Sequence, residues 1–142
     1  MDKKIQKIIV SGILTNNQGK VLLAQRPMHK KIAPGAYHLP GGHVEFGETP
    51  EQAVVREFEE EFKLYVQPGE VVRTFSYTIE DSHTIGITFT ITSDDTPENI
   101  TFDKQDTESV IWINESEMGK YLGPSDHDCI TLVEFFKKKE AN

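Results

Sequence analysis

The sequence has little of what secreted, membrane-spanning or nucleic-acid-binding proteins need. A single cysteine, Cys129, excludes an internal disulfide and fits a reducing compartment, so we expect a cytoplasmic protein. Its apolar runs are only a few residues long, whereas roughly 20 are needed to cross a bilayer. The apolar stretch after the first lysines is short and lacks a following cleavage site, so it is interpreted as a strand and not as a secretory signal.

Basic residues are also few, since 15 Lys and Arg stand against 23 Asp and Glu for a net charge of −8. Nucleic acids and anionic membranes are bound through basic patches, so neither is an expected partner. The length of 142 residues, without a linker or a repeat, predicts one domain over residues 4–138. The acidic charge is concentrated, because residues 42–64 hold seven acidic and two basic residues.

Strand and helix patterns alternate irregularly along the chain, which favours an α/β fold with a mixed sheet flanked by helices. Asn and Gly residues at 16–19 predict a hairpin that joins the first two strands as an antiparallel pair. Helices are predicted from Pro50 to about Phe62, after Asn114, and from the Ser125-x-x-Asp128 pattern onwards. Strands are predicted at Ile5–Leu14, Val21–Gln25, 37–39, 70–80, 83–93 and 108–113.

The helix predicted from Pro50 to Phe62 carries three carboxylates on one face. At about 100° per residue, Glu57, Glu60 and Glu61 fall within an arc of about 100°, away from the apolar side. Like charges at these spacings repel each other, so a positive partner is expected. Hard cations such as Mg²⁺ and Mn²⁺ prefer oxygen ligands, and the cluster therefore suggests a metal site. A solvated acidic face is the alternative when the helix is considered alone.

A longer pattern surrounds this helix. Gly42 is followed after five residues by Glu48, and after seven more by Arg56-Glu57-Phe58-Glu59-Glu60-Glu61-Phe62-Lys63-Leu64. This pattern resembles the Nudix box, and every defined position matches except Lys63, where the family has Gly. Lys63 must therefore adopt a left-handed conformation or end the helix differently. The preceding Tyr37-His38-Leu39-Pro40-Gly41 is similar to the usual lead-in of the family.

The resemblance implies an α/β fold, the Nudix-type α/β/α sandwich with a mixed β-sheet. It also implies an enzyme that cleaves a nucleoside diphosphate linked to a further group X. A pyrophosphate is negatively charged, so an acidic site accepts it only through bridging cations. The implied cofactor is Mg²⁺, with Mn²⁺ as a substitute.

The family's roles can be carried onto the matching positions of this chain. One of Glu57 or Glu60 would take the proton of the attacking water, since the family is not uniform on this point. Arg56 and Glu48 are expected to pair and to brace the loop against the helix, a supporting role. The implied metal ligands are Glu57, Glu60, Glu61 and the carbonyl oxygen of Gly41.

Other polar residues lie outside these roles. Arg26 stands where many relatives place a cation that contacts substrate phosphate, with a surface arginine as the alternative. His43 follows the double glycine in a wording shared by relatives that act on nucleoside triphosphates, which indicates a phosphate or water contact, with a structural loop histidine as the alternative. Asp106 and Glu108 lie where relatives often present another acid, and ordinary loop charges are the favoured interpretation. Residues 126–129, Asp-His-Asp-Cys, are interpreted as the capped start of the last helix and not as a transition-metal site.

The leading hypothesis is hydrolysis of a nucleoside triphosphate to a monophosphate and pyrophosphate, by a monomer or a homodimer. Hydrolysis of a dinucleoside polyphosphate or a nucleotide sugar is the alternative within the same enzyme class. A non-catalytic nucleotide sensor is less favoured, because such a module is expected to have lost box glutamates. A Ca²⁺-binding module is disfavoured because no EF-hand loop pattern is present.

Overall fold

The computed structural model describes residues 3–94 and 100–141. The predicted elements are present within a few residues of their expected bounds, and none of the helices in these ranges is long and apolar enough to cross a membrane. The helices are α1 (Pro50–Phe62), α2 (Met118–Tyr121) and α3 (His127–Glu140), with a 3₁₀ turn at Glu115–Glu117. The strands are β1 (Ile5–Leu14), β2 (Val21–Gln25), β3 (Tyr37–His38), β4 (Gly41–His43), β5 (Val66–Ile79), β6 (Ser82–Ser93) and β7 (Ser109–Ile113).

The strands form two sheets, a four-stranded one in the order β4-β1-β6-β5 and a three-stranded one in the order β3-β2-β7. The first is mixed, because β1 runs parallel to β6 and antiparallel to β4. The predicted β1–β2 hairpin is wrong. The turn forms, with the Asn16 side chain accepting from the Gln18 and Lys20 amides, but both edges of β1 are already paired. Apart from a bridge between Thr15 and Val21, β2 therefore pairs with β3 and β7 instead.

Alternation along the central strands divides the core into two layers. Leu22 and Ala24 of β2 pack with α1, whereas Val21 and Leu23 pack with α3. Since successive strand residues point to opposite faces, the two helices lie on opposite sides of the sheets. The arrangement is the α/β/α sandwich that the sequence predicts. The most buried residues of α1 are Ala53, Val54, Phe58 and Phe62.

Helix α1 begins and ends through local contacts. Thr49 caps its first turn by accepting from the Gln52 amide at 3.1 Å, and the Gln52 side chain accepts from the Thr49 amide at 2.9 Å. At the other end Lys63 has φ 56° and ψ 31°, and its amide donates to the Glu59 carbonyl at 3.0 Å. The left-handed conformation expected for this position is thus present in a residue that carries a Cβ.

Replacing Lys63 with Gly should stabilise the fold by about 1 kcal/mol, because glycine adopts this conformation without the steric penalty that a Cβ brings. The midpoint of denaturant unfolding would report the gain. Lys63→Ala is the matched control, since it shortens the side chain but keeps the Cβ and should give no stabilisation. An equal gain in both variants would mean that the lysine side chain, and not its backbone, causes the strain.

The start of α3 departs from the capping interpretation. Asp126 is the N-cap residue by position, but its side chain makes no capping bond and instead accepts from the Gly123 amide at 2.8 Å. Asp128 accepts from the Leu39 amide at 2.9 Å and so ties α3 to the segment just before β4. Burial raises the pKa of Asp128 above its ordinary value, although the Leu39 amide, His38 and His127 act in the opposite direction and Asp126 adds to the increase.

A buried acid with a raised pKa stabilises the fold in its protonated form, so this contribution is lost as the pH rises through the folded-state pKa. We therefore expect Asp128→Asn to gain stability relative to the wild type between pH 4 and pH 7, while its amide oxygen can still accept from Leu39. Urea unfolding of both proteins across this range measures the difference. If the difference in unfolding free energy between the two proteins does not change with pH, the titration of Asp128 is ruled out as its cause.

Candidate functional site

Arg56, in the middle of α1, holds the loop between β4 and α1 against the helix. Its guanidinium donates to both carboxylate oxygens of Glu48, at 2.7 Å from Nε and 3.0 Å from Nη2. Nη2 also donates to the His43 carbonyl at 2.9 Å, and Nη1 lies 3.6 Å from the Glu45 carboxylate. The hydrogen bonds to Arg56 lower the pKa of Glu48 below its ordinary value. The structure thus contains the expected Arg56–Glu48 pair, which fixes the loop geometry.

Glu57 lies against the backbone of β4. A Cβ at Gly42 would collide with the Glu57 carboxylate, so a larger residue there would displace the acid from this position. The carboxylate also accepts from Arg56 Nη1 at 3.0 Å, and its side chain is 15% exposed. Burial raises the pKa of Glu57, although Arg56 opposes the increase. Ala53 is fully buried one turn earlier, which places the Glu57 side of the helix at the border of the core.

Glu61 follows Glu57 one turn later and is also partly buried. Burial, together with the negative charges of Glu57 and Asp106, raises the pKa of Glu61 to about 8. Glu57 and Glu61 lie within hydrogen-bonding reach of each other. Two full negative charges on this pair are therefore unfavourable without a positive partner.

Glu60 contacts the same Arg56 nitrogen as Glu57. Its carboxylate accepts from Arg56 Nη1 at 3.2 Å, and its side chain is 60% exposed. Within residues 3–94 and 100–141, no three His, Cys, Asp or Glu side chains are already arranged to hold a metal ion. The reason is visible in these contacts, because Arg56 supplies positive charge to Glu57 and Glu60. Because Glu60 is exposed, rotation of its side chain alone can replace its contact with Arg56 by another contact.

Of the two acids that the sequence left open, only Asp106 acts on this cluster. Its charge contributes to the raised pKa of Glu61, whereas the Glu108 carboxylate accepts from the Met28 amide at 3.4 Å. Asp106 lies in a turn in which its amide donates to the Asp103 carbonyl at 3.0 Å. The sequence interval of 45 residues between Asp106 and Glu61 explains why no local pattern predicts this proximity.

A cavity of about 630 Å³ opens on the other face of the four-stranded sheet. Ile9 of β1 lines this cavity and pairs with His43 of β4. The next pair along the two strands, Val10 and Gly42, faces α1 on the opposite side of the sheet. His43 is exposed and lies on the cavity side of β4. β4 is the edge strand of this sheet, with the cavity residue Ile9 beside it in β1 and Glu57 against Gly42 on the opposite face. The lining includes Ile9, Arg26, Tyr37, Phe75, Tyr77 and His127.

Arg26 lines the cavity as a half-buried cation. Its Nε donates to the Ile32 carbonyl at 2.9 Å, and its backbone amide and carbonyl close the 27–35 loop through Ala36 and Gly35. The structure therefore places the predicted site residues in two groups. One group, Arg26 and His43, lies on the cavity side of β4. The other group, which includes Glu57, Glu60 and Glu61, lies on the α1 side.

The donor set on the α1 side fits a hard divalent cation. Glu57 lies against Gly42, Glu61 interacts with Glu57, and Glu60 contacts the same arginine as Glu57. Carboxylate and carbonyl oxygens are the ligands that Mg²⁺ and Mn²⁺ prefer, whereas softer transition metals favour sulfur and imidazole. Positive charge at this position would also relieve the repulsion that raises the pKa of Glu61.

Comparisons with known proteins agree with this geometry. The family model described as NUDIX domain matches residues 6–132. An 8-oxo-dGTP diphosphatase of Proteus vulgaris is 36% identical over 83 residues, which are 58% of this chain and 72% of that protein. A second 8-oxo-dGTP diphosphatase, from Haemophilus influenzae, is 40% identical over 77 residues, which are 54% of this chain. The match spans only 55% of that relative's length.

Among solved structures, a MutT protein from Methanosarcina mazei superposes with a TM-score of 0.78 over 99% of both chains, at 21% sequence identity. A likeness at this identity shows the fold. It confirms the predicted α/β sandwich, and the family match extends over most of the sequence. The chain belongs to the Nudix hydrolase family.

Proposed function

We propose that this protein is a Mg²⁺-dependent nucleoside triphosphate pyrophosphohydrolase that releases a nucleoside monophosphate and pyrophosphate. The observation that carries the proposal is the position of the carboxylates and the cavity on either side of the β4 edge. A nucleotide whose nucleoside lies in the cavity can pass its phosphates over this edge towards Glu57 and Glu61. The cavity volume of about 630 Å³ is within the usual range for small-ligand sites.

Glu57, Glu60, Glu61 and the Gly41 carbonyl would hold the divalent cation, as the resemblance implies. When bound, such cations neutralise the pyrophosphate oxygens and orient the attacking water. One of Glu57 or Glu60 would instead accept the proton of that water at a carboxylate oxygen. Arg56 keeps the loop in place through Glu48 and the His43 carbonyl, so that the β4 backbone and the carboxylates stay in register.

On the cavity side, Arg26 is placed to bind phosphate, since its guanidinium retains N–H donors beyond the one used on Ile32. His43, one residue beyond Gly42, is placed to contact phosphate or water where the chain passes the edge. Two curated relatives named 8-oxo-dGTP diphosphatases favour a nucleoside triphosphate as the substrate class. The net charge of −8 and the lone buried Cys129 fit our proposal of a small nucleotide substrate in the cytoplasm.

Phosphorus NMR of the products tests this function. Nucleoside triphosphates, dinucleoside polyphosphates and nucleotide sugars would each be incubated with Mg²⁺ and, as a control, with chelator. Formation of monophosphate and pyrophosphate from triphosphates, only with Mg²⁺, is the expected result. Turnover confined to the larger substrates would replace the proposal by the alternative hydrolase. Tight nucleotide binding without any turnover would identify a sensor.

A further inference from the structure

Two aromatic side chains of β5 form a flat surface on the cavity side of the sheet. Phe75 lies directly over Gly86 of β6, where a Cβ would collide with the ring. The ring of Tyr77 is 6.4 Å from that of Phe75 between centroids and inclined by only 9°. Tyr77 keeps 38% of its surface exposed, so part of this surface faces the cavity.

His127, the first residue of α3, covers the Phe75 end of this surface. Its ring is 4.3 Å from Phe75 at an angle of 11°, and 5.7 Å from Tyr77 at 15°. The imidazole therefore forms a second layer above the β5 rings. A flat ligand stacked on the exposed part of Tyr77 would lie in the same layer, edge to edge with His127.

Arg73 determines which nitrogen of His127 carries a proton. Its Nη1 lies 3.3 Å from His127 Nδ1 and also donates to the His127 carbonyl at 3.3 Å and to Thr131 Oγ1 at 3.4 Å. The two N–H groups of Nη1 are shared among these three contacts. A protonated Nδ1 would face a guanidinium that has donors only, so the contact favours an accepting Nδ1, with the proton of the neutral ring on Nε2. Among the described residues, no hydrogen-bond partner of Nε2 is present, which leaves an N–H donor at the cavity.

We propose that His127 is a specificity-determining residue whose Nε2–H donates to an oxo group on the edge of the bound nucleobase. The proposal rests on the proposed function, because it places the base of the nucleotide in this cavity. It commits to a class of substrate, namely bases with a carbonyl oxygen at the recognised edge. A 6-oxopurine presents an acceptor there, whereas the amino group of a 6-aminopurine would oppose one donor with another. Arg73 is the positioning residue that keeps the donor on Nε2.

Inosine triphosphate and adenosine triphosphate are the matched substrates, since they differ only at position 6 and in the proton on N1. We expect the wild type to prefer inosine triphosphate by about tenfold in kcat/KM, the effect of one hydrogen bond. His127→Phe keeps a ring on Phe75 but removes the donor, and should bring this ratio close to one. His127→Gln, which retains an amide N–H, should keep part of the preference. His29→Phe, at an exposed loop position, is the control in which the ratio should stay at its wild-type value.

A long-range ¹H–¹⁵N spectrum of the wild-type imidazoles gives a readout that does not require turnover. The expected result is a proton on Nε2 of His127, and a shift of that nitrogen when inosine triphosphate binds in the presence of chelator. A proton on Nδ1, or binding without any shift, would overturn the proposal even if the His127 variants failed to fold. An unchanged substrate ratio in His127→Phe would also overturn it while leaving the proposed hydrolysis intact. Binding with the expected shift, followed by no turnover when Mg²⁺ is supplied, would instead refute the proposed function alone.

Discussion

Glu57→Gln is expected to lower kcat for nucleoside triphosphate hydrolysis by about 10³-fold, the magnitude typical of losing a general base or a metal-binding carboxylate. The glutamine has nearly the same shape, so it can still lie over Gly42 and accept from Arg56. It cannot take a proton from water, and it offers a cation no negative charge. Steady-state kinetics with saturating Mg²⁺ measures the effect, and Glu60→Gln should be impaired as well.

Glu59→Gln provides the matched control for this experiment. Glu59 is on the same helix and carries the same charge, but it is exposed and lies outside the group that faces Gly42. Its substitution should leave turnover and the Mg²⁺ dependence near the wild-type values. Near-normal turnover with unchanged metal dependence in both Glu57→Gln and Glu60→Gln would refute the role proposed for these carboxylates.

Arg56→Met is expected to cause the largest loss of stability among the site variants, roughly 5 to 10 °C in Tm. The arginine contacts Glu45, Glu48, Glu57 and Glu60, and its own side chain is only 21% exposed. Removing the arginine leaves these acids without a counter-charge. The resulting destabilisation is expected to be greatest at Glu57, which is partly buried. Thermal unfolding in chelator measures the loss.

Mg²⁺ should restore part of the stability lost in Arg56→Met, because a cation at Glu57 and Glu61 replaces some of the missing positive charge. Arg56→Lys keeps the charge but loses the two-point contact with Glu48, so its Tm should fall between those of the wild type and Arg56→Met. The double variant Arg56→Met, Glu48→Gln should be more stable than Arg56→Met alone. A Tm in Arg56→Met that equals the wild-type value in chelator would show that the arginine does not offset this charge.

Local signals explain what the sequence predicts well. The ends of α1 depend on Thr49, Pro50 and Gln52, which are adjacent in sequence, and their capping box forms as expected. The pair of Arg56 and Glu48 also spans only eight residues, a distance that one loop and two helical turns determine. Such features require no knowledge of which strand lies next to which.

Pairing between strands that are distant in sequence explains which features could not be predicted from the sequence. The strands on either side of Asn16 have the pattern of a hairpin, yet β1 pairs along its length with β6, whose partner residues lie 77 positions away. The proximity of Asp106 to Glu61 and the stacking of His127 on Phe75 depend on the same assembly. Helical spacing placed Glu60 with Glu57 and Glu61, but it did not reveal that Arg56 donates to Glu60.

Paramagnetic broadening by Mn²⁺ in a ¹H–¹⁵N spectrum tests the central claim most directly, since it locates the bound cation without requiring turnover. We predict that substoichiometric Mn²⁺ first broadens the amides of Gly41, Gly42, Glu57 and Glu61, and that Glu57→Gln weakens this effect. Broadening that centres on Glu51 and Glu59, along the outer cavity of about 470 Å³ beside α1, would contradict the account.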